Sequence, residues 1–404
     1  MYADIIIDIS HERVDRPFQY LIPDRLLKQI TVGVKVQVPF GKGNTLRTGY
    51  VVEIKEKPEF APEKLKEIAG VREESVSVQS QLIRLAWWMR ETYGSTMNQA
   101  LKTVLPVKQK IKVREKHLYC CVLTKERLLE EIKQAAGKNY RARLRLLEAF
   151  AENPVIPEEV AKEQLQISDS TLRPLIERGI VEVKIKKKNA PSVSAGRSVR
   201  LNRDQMAAAD RFREEYGAGI RKTYLLYEIT GSGKTEVYME MMDYVLSLGR
   251  QVILLIPEIS LTYQTVMRFY RRFGDRIAVM NSRLSAGERY REWERAATGE
   301  VSVMIGPRSA LFAPFSNLGL IIIDEEHEGA YKSETMPRYH AVEAARQRAL
   351  LGNASLVLGS ATPSLESFQR AEGGEYRLLR LGSRAAAGSV LRAVEITDMR
   401  AEMR

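Results

Sequence analysis

The chain has 404 residues, 44% of them hydrophobic and 28% charged, with a formal net charge of +12. Those values exclude a disordered polymer and leave room for two or three domains with buried cores. Apolar runs such as Leu320-Ile-Ile-Ile323 are strand-sized, so none predicts a membrane span, and the only cysteines, Cys120 and Cys121, make neither a disulfide framework nor a four-ligand zinc site. The excess of base favours a polyanionic partner, because neutralising phosphates releases counterions. It gathers in runs such as Lys184, Lys186, Lys187 and Lys188, and Arg268, Arg271 and Arg272. The N-terminus opens on a strand pattern with no basic leader, which with the cysteine usage predicts a cytoplasmic protein.

Residues 1–106 read as a β-rich module. Asp4–Ile9, Lys35–Pro39 and Gly49–Ile54 are β-branched runs separated by turn signals such as Gly41-Lys-Gly-Asn44. A helix is expected over Gln81–Thr92, with Leu82, Leu85, Trp88 and Met89 on one side. Residues 107–190 change character. Helical segments over Arg141–Phe150, Ile156–Leu165 and Ser170–Arg178, the last capped by Ser168 or Asp169, precede the strand pattern Ile180–Ile185. Three helices and a strand fit a winged helix-turn-helix or a small helical spacer. Residues 191–200 are a linker by composition.

From residue 201 to about 385, strands and helices alternate. Apolar strands at Tyr224–Ile229, Gln251–Ile256, Ile277–Met280, Val301–Ile305, Leu320–Ile323 and Ser355–Gly359 predict a parallel sheet with helices on both faces. The first runs into Thr230-Gly-Ser-Gly-Lys-Thr-Glu236 and then a helix over Lys234–Leu248, the architecture of a phosphate-binding loop. Gly231, Ser232 and Gly233 would bend the backbone around phosphates, Lys234 would reach the β- and γ-phosphates, and Thr235 would hold Mg²⁺. Asp324, at the end of an apolar strand, is placed to share that Mg²⁺, and Glu325 to activate a water. His327 reads equally as a hydrogen-bonded or a coupling residue. Ser360, Ala361 and Thr362 follow another strand, where small and hydroxyl side chains can sense the γ-phosphate.

Together, Asp324-Glu-Glu-His327 and Ser360-Ala-Thr362 resemble the superfamily 2 helicases. Ile256-Pro-Glu-Ile-Ser-Leu261, Gly306-Pro-Arg-Ser-Ala-Leu-Phe312, Arg16-Pro-Phe-Gln-Tyr20, Asp8-Ile-Ser-His11 and Val38-Pro-Phe-Gly-Lys42 narrow the resemblance to the PriA family of primosomal replication-restart DNA helicases. It covers essentially the whole chain. It implies a multidomain protein: a β-rich N-terminal DNA-binding domain, a winged-helix domain and an α/β RecA-like P-loop helicase lobe 1. It implies ATP and Mg²⁺ as cofactors, branched forks and single-stranded DNA as ligands, and single-stranded DNA-binding protein and primosome proteins as partners, in the bacterial cytoplasm and nucleoid and with no membrane.

Residue by residue, the resemblance makes Gln205 the adenine reader, and Pro257, Glu258 and the 306–311 segment, with Arg308, a lining for single-stranded DNA. Tyr331, Lys332, Arg338 and Tyr339 match an aromatic-rich loop that couples DNA to hydrolysis, where stacking on bases is expected. Phe18, Gln19, Tyr20, Gly41, Lys42 and Lys66 fall where the family captures a 3′ end; Phe18 and Tyr20 read equally as core. Glu228 stands where the family has glycine, Gln19 where some relatives have aspartate, and Ala341-Val-Glu-Ala344 where a more basic run is expected. Residues 386–404, with Ile396-Thr-Asp-Met-Arg400, resemble a junction towards a zinc-binding domain and a second lobe lying outside the 404 residues. This 404-residue polypeptide is therefore expected to bind DNA, to bind ATP weakly and to hydrolyse it poorly. The rival reading is a non-catalytic fork-binding module with a vestigial ATPase lobe.

Overall fold

A computed structural model describes residues 1–8, 16–61, 63, 65–71, 80–105, 117–185 and 200–384. Ile9–His11, Lys186–Lys188, all of the linker except Arg200, and residues 386–404 lie outside the described residues.

The N-terminal sheet is antiparallel, with β1 (Tyr2–Ile7), β2 (Phe18–Leu21), β3 (Lys35–Phe40), β4 (Thr45–Lys55) and β5 (Gly70–Val71) in the order β2-β1-β4-β3-β5. Its pleat explains its burial. Ala3, Ile5 and Ile7 pack with Val36, Val38 and Val51, whereas Ile6 points the other way into a second core. That second core also holds α1 (Ser80–Tyr93) and α2 (Met97–Val104). A capping box starts α2: Gln99 N donates to Thr96 Oγ1 (3.2 Å) and Thr96 N to Gln99 Oε1 (3.0 Å). Leu82, Leu85, Met89 and Leu101 join Ile253, Ile321 and Ala345 there, so both helices cover the large sheet as well as the small one.

The middle segment runs β6 (His117–Cys121), α3 (Lys125–Gly137), α4 (Arg141–Glu152), β7 (Val155–Pro157), α5 (Glu158–Glu163), α6 (Asp169–Glu177) and β8 (Val181–Ile185). Its sheet is antiparallel with β6 central, in the order β7-β6-β8. It thus has a helix and two strands beyond the sequence expectation. Ile156 is extended rather than helical, as a residue before proline tends to be. Ser168 occupies the cap position of α6 without a side-chain cap bond, and its Oγ lies 2.7 Å from Ser170 Oγ instead.

The remainder is α7 (Arg203–Gly217), β9 (Thr223–Glu228), α8 (Lys234–Ser247), β10 (Gln251–Leu255), α9 (Tyr263–Phe273), β11 (Ile277–Val279), α10 (Ala286–Ala297), β12 (Val303–Gly306), β13 (Leu318–Asp324), α11 (Ala341–Gly352), β14 (Ser355–Ser360), α12 (Leu365–Glu372) and β15 (Arg377–Leu381). Seven parallel strands lie in the order β11-β12-β10-β13-β14-β9-β15. Alternate residues bury on opposite faces: Leu226, Leu254, Ile322 and Val357 on one, Leu225, Ile253, Leu255 and Ile321 on the other. That double burial produces the continuous apolar runs of the sequence.

Candidate nucleotide site and nucleic-acid groove

Strands β9, β14 and β13 are adjacent, with Asp324 paired to Gly359 and Ser360 to Tyr227, so their carboxyl ends share one edge of the sheet. Ligands of open α/β sheets bind at such an edge. The loop after β9 takes a shape that side chains resist: Gly231 has φ 84° and Gly233 has φ 85°, and no atom lies within 4 Å of a Cβ built on Gly231.

Lys234 is buried, and its Nζ lies 2.6 Å from Glu325 Oε1, 3.0 Å from Glu228 Oε1 and 3.4 Å from Asp324 Oδ1. Burial works against its charge, but the three carboxylates outweigh burial and hold the ammonium above its ordinary value. Asp324 moves upward because burial, with the Glu325 charge beside it, outweighs Lys234. Glu228 also accepts a short hydrogen bond from Ser232 Oγ, so this departure from glycine ties the loop to the lysine.

Sequence reasoning gave no role to two further side chains, those of Tyr238 and Glu326. Tyr238 OH donates to Asp324 Oδ1 (3.0 Å), and a Cβ on Gly359 would stand 1.5 Å from the Tyr238 hydroxyl oxygen. Tyr238 follows Lys234 by one helical turn, a spacing that signals a shared face. Glu326 is buried and accepts from Ser364 N (2.6 Å) and Ser367 Oγ (3.1 Å), joining the acidic strand end to the start of α12.

His327 Nδ1 lies 2.7 Å from Ser360 Oγ, and Nε2 lies 3.4 Å from Thr362 Oγ1. His327, Ser360 and Thr362 therefore form one chain of contacts beside Glu325, with Ala361 between the two hydroxyl residues. Glu325 has φ 48°, uncommon for a residue with a side chain, at the turn that starts this network. Gln205 is buried; its Nε2 donates to Ser232 O (2.6 Å) and its Oε1 accepts from Asn202 N (2.8 Å). It thus braces the phosphate loop against the cap of α7. Asp324 and the Thr235 hydroxyl offer hard oxygen donors, the set Mg²⁺ takes alongside phosphate oxygens.

A second feature lies across the same face. Pro257, Glu258, Arg308, Tyr331 and Tyr339 line one cavity of about 350 Å³. Arg308 donates to the carbonyls of Ala330 (3.1 Å) and Lys332, and its guanidinium sits 5.4 Å from the Tyr339 ring centroid. Glu258 Oε1 accepts from Ser282 N (2.9 Å). Lys332 and Arg338 are exposed nearby. Tyr331 and Tyr339 depart from the stacking expected of them: they are 1% and 4% exposed, Tyr331 OH donates to Asp324 O (2.7 Å), and Tyr339 packs edge-on against Phe312. Burial ties Tyr331 directly to the acidic strand end.

At the N-terminal sheet, Phe18 and Phe40 meet edge-to-face at 5.1 Å, and Lys66 Nζ donates to Gly41 O (2.8 Å), with Lys42 exposed on the same turn. Tyr20 is a core residue that donates to Pro39 O (3.2 Å). Gln19 is likewise buried, and both amide atoms are engaged: Nε2 donates to Asp4 Oδ1 (3.2 Å) and Oε1 accepts from Glu59 N (2.7 Å). In this arrangement neither offers a free group to a DNA end.

Residues 4–106 match the family model described as the 3′ DNA-binding domain of PriA, and residues 202–371 match that of DEAD/DEAH box helicases. The Replication restart protein PriA of Bacillus subtilis (strain 168) is 34% identical over 100% of this chain and 58% of its own length. The Chlamydia muridarum protein of the same name is 35% identical, over 100% of this chain and 54% of its own length. Along its whole length the chain is similar to PriA proteins, and it matches both the PriA 3′ DNA-binding domain and the DEAD/DEAH box helicase domain. It spans a little over half the length of these PriA relatives. Among solved structures, RecG bound to a three-way DNA junction matches with a TM-score of 0.36 at 17% identity, covering 92% of this chain and 48% of that chain. Among the described residues, no helix is long and apolar enough to cross a membrane.

Proposed function

We propose that this chain supplies the nucleotide-binding lobe and the DNA-recognising front of an ATP-dependent 3′→5′ DNA helicase that recognises stalled or D-loop forks and initiates primosome assembly. The observation that carries this reading is the convergence of Lys234, Asp324, Glu325 and the His327–Ser360–Thr362 chain at one sheet edge. Lys234 would leave its carboxylates for the β- and γ-phosphates, and Gln205 would set the loop that receives them. Thr235 and Asp324 would hold Mg²⁺, which supplies charge neutralisation on the phosphate oxygens when bound. Glu325 would then be free to orient the attacking water, and the His327 chain would report phosphate state towards the DNA groove.

In the same reading, residues 1–106 capture a 3′ end at the Phe18, Gly41, Lys42 and Lys66 edge, and residues 107–190 act as a winged helix. The polypeptide of residues 1–404 hydrolyses ATP slowly by itself, because a single sheet edge stabilises transition-state charge from one side only. Single-stranded DNA-binding protein and primosome proteins are the proposed partners, in the cytoplasm and on the nucleoid. One observation favours the rival, a fork-binding module with a vestigial ATPase lobe: Glu228 occupies the lysine that should meet phosphate.

Turnover by the purified chain, with and without fork DNA, tests the catalytic part; robust DNA-stimulated hydrolysis would contradict the one-sided site. Forks ending in a 3′-hydroxyl or a 3′-phosphate test the capture of a terminus. Equal affinity for both would remove that claim.

A further inference from the structure

The cavity lined by Pro257 and Arg308 continues into a second chamber of about 300 Å³ between α2, α10 and the Arg308–Phe312 turn. Each chamber reaches the lower end of the size range of small-ligand sites, roughly 300–1,000 Å³. Arg289 and Phe312 line both. The second chamber differs in character from the first. Its floor is apolar, formed by the edges of Tyr290 and Trp293, which stack on each other (ring centroids 6.1 Å apart, 17° between planes), and of Phe312, all three only 4–5% exposed.

Its cations differ too. At the far side Lys102 is paired with Asp8 Oδ1 at 3.0 Å. Arg289, at the junction, is exposed and has no ion pair among the described residues. The more buried arginines of the lobe are held by carboxylates, as Arg295 is by Glu292 and Glu300, and Arg272 by Glu240 and Asp243, whereas exposed Arg289 is held by none among the described residues. A guanidinium left without a carboxylate between two chambers suits a phosphate.

We propose that the second chamber receives one unstacked base of a single DNA strand lying in the first, with Arg289 holding the phosphate between them. The inference rests on the reading of the first cavity as the path of single-stranded DNA. It adds a base site made partly by α2, so the segment that follows the N-terminal sheet forms part of the lobe's DNA track. An apolar slot makes little demand on base identity, so the site accepts a base without reading sequence. Occupancy also places a strand against α2 and α10 at once, which couples the N-terminal module to the lobe through the ligand itself.

The test uses the whole 404-residue chain, a short oligo-dT, and an abasic strand of equal length, titrated at fixed salt. Ala286→Trp fills the chamber from an exposed position at the start of α10. It should weaken oligo-dT binding by about tenfold, the scale of one base lost from an apolar slot, while leaving the abasic strand within about twofold. Arg289→Ala should weaken both strands by about the same factor, since a phosphate contact ignores the base. Ala286→Trp with oligo-dT binding unchanged, or with both strands equally weakened, would overturn the base site. Unchanged binding by Arg289→Ala would overturn the phosphate contact. Arg308→Ala in the first cavity separates the two levels. If it weakens both strands while Ala286→Trp is silent, only the base site fails; if it too is silent, the groove is not a DNA path.

Discussion

Two cationic regions share one face of the α/β lobe, and they are built in opposite ways. At the phosphate loop, Lys234 is buried and surrounded by Glu228, Asp324 and Glu325. In the groove, among the described residues, Arg308 is held by backbone carbonyls and by Tyr339 rather than by a carboxylate, and Lys332 lies 5.6 Å from the Tyr93 ring centroid. A buried ammonium needs internal anions, because an unpaired charge away from water is costly. Exposed cations are solvated and can stay unpaired until a polyanion arrives. On the proposed function, the first region would exchange one set of partners for another on binding nucleotide, and the second would gain partners. That contrast predicts salt-sensitive DNA binding beside nucleotide binding that salt affects little.

The largest effect expected on this comparison comes from the packing behind the buried site. A methyl on Gly359 would overlap Tyr238 Oη, so Gly359→Ala should cost about 3 kcal/mol of stability and loosen the Tyr238–Asp324 bond. Chemical denaturation checks it, and an unchanged midpoint would mean that Tyr238 has room to move.

The next largest tests whether burial, rather than the site, governs such charges. Glu163 of α5 sits against the lobe, hydrogen-bonded to Asn281, with Glu159, Glu288, Glu292, Arg295 and Tyr270 around it. Burial, reinforced by the neighbouring glutamates, pushes its carboxyl from 4.5 up to about 8. The folded chain thus keeps a proton that the unfolded chain releases. Stability present below pH 4.5 is lost as the pH rises to about 8. Glu163→Gln should match the parent at pH 5 and exceed it by about 2 kcal/mol at pH 8. A constant difference across that range would remove the titration from the account.

A smaller effect sharpens the lysine's side of the contrast. Replacing Glu228 with glycine removes one anion that competes with phosphate for Lys234. It should tighten binding of a fluorescent ATP analogue by about tenfold, near 1.4 kcal/mol. Weaker binding would instead make Glu228 part of a working site and count against the vestigial reading.

Much of the lobe was legible because parallel strands buried on both faces write continuous apolar runs, and each motif stands at the end of one. The edge strand β15, Arg377-Leu-Leu-Arg-Leu381, has no such signature, since an edge strand keeps polar positions. Strands β2, also at an edge, and β6, central in its sheet, were missed because Phe18-Gln-Tyr-Leu21 and His117-Leu-Tyr-Cys-Cys121 are short and mixed in polarity. At the site, the sequence placed the residues at the strand ends but could not show their contacts. That Lys234 meets Glu228 depends on one carboxylate folding back along its own loop. Gln19, Tyr331 and Tyr339 are surface-compatible residues that tertiary packing places inside, a choice made by partners distant in sequence, such as Asp4, Glu59 and Phe312.

The central claim is that the buried lysine serves a nucleotide while the unpaired cations serve DNA, as separate sites. The most direct test is Lys234→Ala, titrated side by side with Mg²⁺–ATP analogue and with fork DNA. The account predicts that nucleotide affinity falls by more than about a hundredfold while fork affinity stays within about twofold of the parent. Retention of nucleotide binding, or loss of both ligands together, would contradict it.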